Sequence, residues 1–185
     1  ALNKNLGGKK KQSNAKIKAL KTAIHTAFEY QEKQGIPQKV VVFTESKRTQ
    51  KYIASELRKD GFNEDDILLF NGDFNDAMTK EIYRAWKVKN FGKTNYGRGV
   101  EYKHAIVDYF KEHSRILIVT DAGSEGLNLQ FCNTVINYDL PWNPQKIEQR
   151  IGRCHRYGQK HDVVAINLLN TGNEADRRVY EILSK

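Results

Sequence analysis

Short apolar runs recur along this chain, each ending in a polar turn and leading into a stretch of helical period. Residues 39–43 (KVVVF), 67–70 (ILLF), 116–120 (ILIVT), 134–138 (TVINY) and 163–169 (VVAINLL) have the length and β-branched content of strands. The first is apolar almost throughout, the pattern of a strand covered on both faces. Over 14–34, Ile17, Leu20, Ile24, Ala27 and Phe28 fall on one helix face, and Gly35-Ile36-Pro37 ends that helix. Ser46 is placed to cap a helix running to about residue 60. Further helices are predicted over 75–88 and 101–113, with Pro144 at the start of another and a last one from Asn173. Between two of them, 90–100 (NFGKTNYGRGV) mixes glycine and asparagine breakers with basic and aromatic residues, as an exposed loop does. The alternation predicts an α/β fold, a parallel sheet flanked by helices on both faces, with ligands at the carboxyl ends of the strands.

Charge adds to this picture more than composition does. A chain of 185 residues suits one domain with a real core. Residues 1–60 hold 14 Lys and Arg against 5 Asp and Glu, while 61–185 hold 17 of each, so the whole net charge of +9 sits in the first third. A basic face there attracts a polyanion at long range. For the leader, residues 1–13 with Lys9–Lys11, a flexible solubilising tail accounts for the charge as well. Lys47, Arg48 and Lys51 directly follow a strand and are better placed for phosphate. No apolar run approaches the ~18 residues of a membrane span, and the N-terminus has no apolar signal core. Cys132 and Cys154 form no CxxC pair, and the five histidines form no cluster, which argues against a disulfide framework or a metal site and fits a reducing cytoplasm.

The segment EQRIGRCHRYGQ, 148–159, carries the densest chemistry. Arg150, Arg153 and Arg156 recur every third residue, a spacing that on a helix turns three guanidiniums to one side. Planar, permanently charged forks suit polyphosphate. The other reading, a solvated basic helix, is disfavoured by Gly152 and Gly158, poor residues for a helix interior, and by the added polar groups of Gln149, His155 and Gln159. Two further stretches lie at strand ends. In VVFTES, Thr44 and Ser46 are placed either as an ordinary helix cap or to hold a phosphate at the next helix's N-terminus. In ILIVTDAGSEGLNLQ, Thr120 precedes Gly123 and Gly126, which let backbone N–H groups approach a phosphate.

These stretches together resemble the C-terminal RecA-like lobe of superfamily-two helicases, in the form found in bacterial Swi/Snf-type DNA translocases. EQRIGRCHRYGQ resembles motif VI, VVFTES motif IV, and ILIVTDAGSEGLNLQ motif V. LFNGDFN at 69–75 resembles the Asp-Gly turn between them, and YDLPWNP at 138–144 the family's connection from motif V to motif VI. The GSEG form, with Ser124 where many members have glycine, is similar to the branch that includes the RNA polymerase-associated ATPase. The resemblance covers 39–183, with 90–100 as a variable insertion, and divides the chain into leader 1–13, leading helix 14–38 and lobe 39–185.

The resemblance implies roles. Arg153 and Arg156 would be arginine fingers on the γ-phosphate of ATP, and Gln149 would order that phosphate or the attacking water. Gly123, Glu125, Gly126, Asn128, Arg150 and Gln159 would lie on the nucleotide side, with Arg150 bracing the motif on an acidic partner and Gln159 anchoring its loop. Thr44, Ser46, Lys47, Arg48, Thr120 and Gly126 would grip the DNA backbone. Trp142 is expected as a core aromatic that fixes its loop. No GxxxxGK[ST] is present, Gly7-Gly8-Lys9 lacks the strand and hydroxyl of a P-loop, and the acidic run at 63–66 precedes a strand as a solvated turn. ATP and Mg²⁺ would therefore be held mainly by a first RecA-like lobe upstream, and this stretch alone is expected to be inactive. Partners implied are double-stranded DNA, that first lobe, and RNA polymerase or another DNA-bound protein. Two alternatives remain open: the lobe of an RNA-directed or strand-separating helicase, and a non-catalytic nucleic-acid-binding module.

Overall fold

In a computed structural model of the chain, residues 2–93 and 95–169 are described, with side chains from 15 onward. Five parallel strands form one sheet: β1 (Val40–Phe43), β2 (Ile67–Phe70), β3 (Ile116–Val119), β4 (Thr134–Asn137) and β5 (Val164–Asn167), in the order β2-β3-β1-β4-β5. The four strands β1 to β4 lie within a residue of their predicted bounds: β1 and β3 are apolar runs buried throughout, β2 is apolar with Leu69 half-buried, and β4 is buried throughout although Thr134 and Asn137 are polar. β5 is shorter than the predicted 163–169. The helix predicted from Asn173 lies outside the described residues.

One face of the sheet is covered by α1 (Leu2–Lys33) and α2 (Lys47–Lys59). Ile17, Leu20, Ile24 and Phe28 of α1 pack with Ile53 and Leu57 of α2 over Val40, Val42 and Ile118. The backbone of α1 is helical from Leu2, across the boundary drawn between leader and leading helix. Its C-terminal end is fixed by Gln31, fully buried, whose Nε2 donates to Lys39 O at 2.8 Å and Asn133 Oδ1 at 2.7 Å while its Oε1 accepts from Lys39 N at 3.1 Å.

The other face carries α3 (Ala77–Lys89), α4 (Arg98–Glu112), the four-residue α5 (Asp121–Ser124) and α6 (Pro144–Ile151). Ile82 and Trp86 of α3 and Ile106 and Phe110 of α4 meet Val41, Leu68, Leu117 and Val135 of the sheet. The caps follow local chemistry: Ser46 accepts from Thr49 N, Asp76 from Thr79 N, Thr120 from Gly123 N and Asn143 from Gln145 N. α4 begins three residues ahead of the predicted Glu101, so the exposed connection ends at Gly97. The turn at 63–66 is not merely solvated: Asp66 takes Arg115 Nε and Nη2 on its two oxygens at 2.8 and 3.0 Å. Among the described residues no helix is long and apolar enough to cross a membrane.

Candidate phosphate-binding site at the strand ends

Parallel register sets Phe43 beside both Val119 and Asn137, so Thr44, Thr120 and Tyr138 leave the sheet at one level. The two threonine hydroxyls, expected to face a DNA backbone, are turned inward. Thr44 is fully buried and donates to Asp139 Oδ2 at 2.6 Å, an oxygen that also accepts from Glu45 N at 3.1 Å. Thr120 donates to Asn71 O at 3.3 Å and accepts from Gly123 N at 3.2 Å as the cap of α5. Both hydroxyls hold strand ends in place. Ser46 is likewise engaged, at 3.1 Å from Thr49 N and 2.9 Å from its hydroxyl, though it is exposed. Lys47 pairs with Asp73 at 3.1 Å, both exposed, while Arg48 is exposed with no acidic partner among the described residues.

The arginines do not form a row. α6 ends at Ile151 with Gly152 as its cap, so the helical spacing stops between Arg150 and Arg153. Arg150 points into the protein and is 2% exposed. Its Nε and Nη2 donate to the two oxygens of Asp121 at 2.7 and 3.0 Å, and its Nη1 donates to Asn137 Oδ1 at 2.9 Å and Asp139 O at 2.8 Å. The guanidinium also lies 5.0 Å over the ring of Phe43. A buried charge so fully engaged is a brace rather than a ligand group. It ties the ends of β1 and β4 to α5. Arg156 is exposed, with Nε 3.3 Å from Gly152 O, and stands outside the cleft described next. Gln159 anchors its loop: its Nε2 donates to Cys132 O at 3.1 Å and Cys154 O at 3.4 Å, and its Oε1 accepts from His161 N at 3.1 Å.

Arg153, Gln149, Glu125 and Lys146 come together. They line a cleft of about 230 Å³ between α5 and α6, with the Arg150–Asp121 pair as its floor. Arg153 is half-buried and has no acidic partner among the described residues, and its backbone is held by Leu129 N on its carbonyl at 2.9 Å. Asp121 is shared between Arg150 and Lys146, whose Nζ is 3.8 Å from its Oδ2, so three cations, Arg150, Lys146 and Arg153, face two carboxylates, Asp121 and Glu125. That balance, with the amide of Gln149, suits an anionic group. Asp121 and Lys146 escaped the sequence reading. The Asp directly after Thr120 was a signal for the first, and nothing in the pattern marked the second.

Gly123, Gly126 and Asn128 separate. A Cβ on Gly123 would lie 2.7 Å from Phe70 O and 2.9 Å from Asn71 Cα, so this glycine lets α5 seat on the end of β2 instead of admitting a phosphate. Gly126, at φ 75°, and Asn128 open into a second cleft, of about 370 Å³, against α4. Cys132 and Cys154 are buried free thiols; hydrogen bonding to Cys132 and burial push the Cys154 thiol well up, which makes it inert. Trp142, expected in the core, is 71% exposed: Pro141 beside it is buried and Asn143 is the cap of α6, so the loop is fixed without the indole.

The helicase conserved C-terminal domain matches residues 94–158. The uncharacterized ATP-dependent helicase YqhH of Bacillus subtilis (strain 168) is 37% identical over 148 residues, 80% of this chain and 22% of YqhH. The RNA polymerase-associated protein RapA of Vibrio cholerae serotype O1 (strain M66-2) is 52% identical over 50 residues, 27% of this chain and 5% of RapA. This chain thus spans under a quarter of either relative's length. Among solved structures, the C-terminal part of the Fun30 ATPase domain superposes with a TM-score of 0.63 at 24% identity, over 90% of this chain and 44% of that one. Domain 2 of the DEAD-box helicase Mss116p does so with a TM-score of 0.55 at 18% identity, over 85% and 50%. At those identities the structural likeness is one of fold. The chain carries a helicase conserved C-terminal domain built on a RecA-like sheet.

Proposed function

We propose that this chain is the second motor lobe of an ATP-dependent double-stranded DNA translocase in the cytoplasm. The observation that carries the reading is the division of labour between Arg150 and Arg153. The first is locked by Asp121, and the second stands free in a cleft with Gln149 and Lys146. Such a cleft fits a phosphate presented by a partner. It does not fit the accompanying Mg²⁺, because Asp121 is engaged and Glu125 is a single carboxylate, and a first RecA-like lobe would supply the metal ligands. ATP bound there supplies a γ-phosphoryl group whose transfer builds negative charge. Arg153 would approach that charge as an arginine finger, with Gln149 orienting the phosphate or the water, and Arg156 would join them only if the loop after α6 shifts.

Exposed Ser46, Lys47 and Arg48 at the start of α2 are the proposed grip on the DNA backbone, with Gly126 as a further approach of backbone to phosphate. Thr44 and Thr120 support that grip from within. Contacts of this kind read phosphate and not bases, so sequence preference should be low. Similarity to a protein named for its association with RNA polymerase makes that enzyme, or another DNA-bound protein, the proposed target.

The test is steady-state ATP hydrolysis by the full-length protein that carries this chain, with and without duplex DNA, as wild type and as Arg153→Ala. Strong stimulation by duplex DNA is expected, with a loss in the variant on the order of 10³-fold while ATP still binds. Hydrolysis indifferent to duplex DNA but stimulated by RNA would move the lobe to an RNA-directed helicase. An unchanged rate in the variant would remove the finger from Arg153.

A further inference from the structure

The outer face of α4 borders Gly126 but is otherwise unused by the reading above, and its chemistry differs from that of the phosphate cleft. Val100, Lys103, Val107 and Lys111 recur at three- and four-residue spacing and so share one side of the helix. They form one wall of the cleft of about 370 Å³ whose other wall is the chain after α5, with Phe131 at its base. Val100 is 46% exposed, and Tyr96, stacked on His104 at 5.2 Å and 57% exposed, extends the apolar strip. From Val100 to Lys111 the helix rises about 16 Å, so the groove is elongated rather than cupped.

Its charged lining is two lysines, Lys103 and Lys111, against one carboxylate, Asp108. Lys103 and Lys111 have no acidic partner among the described residues, whereas their neighbours Lys87 and Lys89 are paired with Glu101 and Glu112. The Lys111 ammonium stands 6.0 Å over the Phe131 ring. The Lys103 ammonium fills the space over Gly126, 3.2 Å from where a Cβ would be. Asp108 accepts the Trp86 indole N–H at 2.7 Å and keeps its charge, so the groove is net cationic by one.

We propose that this groove docks an acidic amphipathic segment of a protein partner, its apolar side chains on Val100, Val107 and Phe131 and its carboxylates toward Lys103 and Lys111. An elongated groove with an apolar floor and cationic edges is what an amphipathic helix laid lengthwise requires. A nucleic-acid backbone would match the lysines but leave the apolar floor uncovered, and a compact anion would leave most of the groove empty. Charge complementarity would set orientation and speed of encounter, and the apolar strip would supply most of the affinity.

The test uses the full-length protein and two labelled synthetic peptides in fluorescence anisotropy. Both have leucines at helical i, i+4, i+7 spacing; one has glutamates at the remaining positions and the other lysines. The acidic peptide should bind about tenfold tighter than the basic one, and Lys103→Glu with Lys111→Glu should reverse that order. Lys111 is exposed, so Lys111→Glu alone leaves the fold intact and should still erode the preference. Equal affinity for the two peptides, or a preference unchanged in Lys111→Glu, would overturn the proposal. So would displacement of the acidic peptide by short duplex DNA with a dependence on the same two lysines, which would give the groove to nucleic acid.

Discussion

Arg150 and Arg153 sit three residues apart and meet opposite environments, because the helix that would have aligned them ends between them at Ile151. Removing Arg150 leaves a buried cavity and takes two hydrogen bonds from the Asp121 carboxylate, with Lys146 at 3.8 Å as its remaining ion-pair partner among the described residues. Arg150→Ala is therefore expected to cost about 3 kcal/mol of stability. Arg153→Ala should stay within about 0.5 kcal/mol, and urea unfolding of the two variants separates brace from tool. Gly123→Ala forces a methyl onto the Phe70 carbonyl and should cost about 1–3 kcal/mol in the same assay. The sequence pattern identifies these residues but not their duties. The partner of Arg150 is 29 positions away and that of Thr44 is 95, so only folding brings them together. Ser46, whose partner is three positions on, could be assigned its cap from the chain alone.

Elements were legible where the chemistry is local or the burial extreme. Central strands announce themselves by being apolar on both faces, and α2 by its cap. The short α5 was hidden, since Asp-Ala-Gly-Ser has glycine where a helix interior would not place it, and its helical turn is imposed by the Thr120 cap and the end of β2. Leu20 and Ile24 seal one face of the sheet, so Leu20→Ala should cost about 2–5 kcal/mol, read from chemical denaturation. At the opposite edge of that seal, Arg115 lies between the rings of Phe28 and Phe62, at 5.2 and 5.6 Å, and joins the starts of β2 and β3 through Asp66. Its hydrogen bonds hold the Asp66 carboxyl below the ordinary aspartate value of 3.8. A carboxylate whose folded pKa is depressed contributes fully above its unfolded value and loses that contribution as pH falls through the lower one. Asp66→Asn should accordingly lower the thermal midpoint at neutral pH and flatten its decline below pH 3.8.

For the molecule as a whole, charge and strand order converge on the same edge. The basic excess of residues 1–60 includes the first turns of α2, which start where β1 ends at the centre of the sheet. If Lys47 and Arg48 contact DNA phosphates, binding by the full-length protein should weaken steeply with salt. Each alanine substitution there should then reduce the slope of log affinity against log salt by about one, with little change in sequence preference. That Gln149, Arg150 and Arg153 share one cleft at the carboxyl edge was legible from motif spacing. The exposed Trp142 was not, since aromatic character alone does not say which side of a loop an indole takes.

The segment bearing Arg153 is fastened to its surroundings on several sides. Leu129 holds its carbonyl, Gln159 bridges the carbonyls of Cys132 and Cys154, and Arg150 gathers Asp121, Asn137 and Asp139. Loosening any one of these would cost buried hydrogen bonds, so Arg153 cannot swing out like a lid. If Arg153 is the proposed finger, it is a tool on a rigid handle, and its reach would be set by the attitude of the entire sheet. Contact with the γ-phosphate would then come from rotation of one lobe against the other, so the stroke length would belong to the hinge and the timing to whatever locks it.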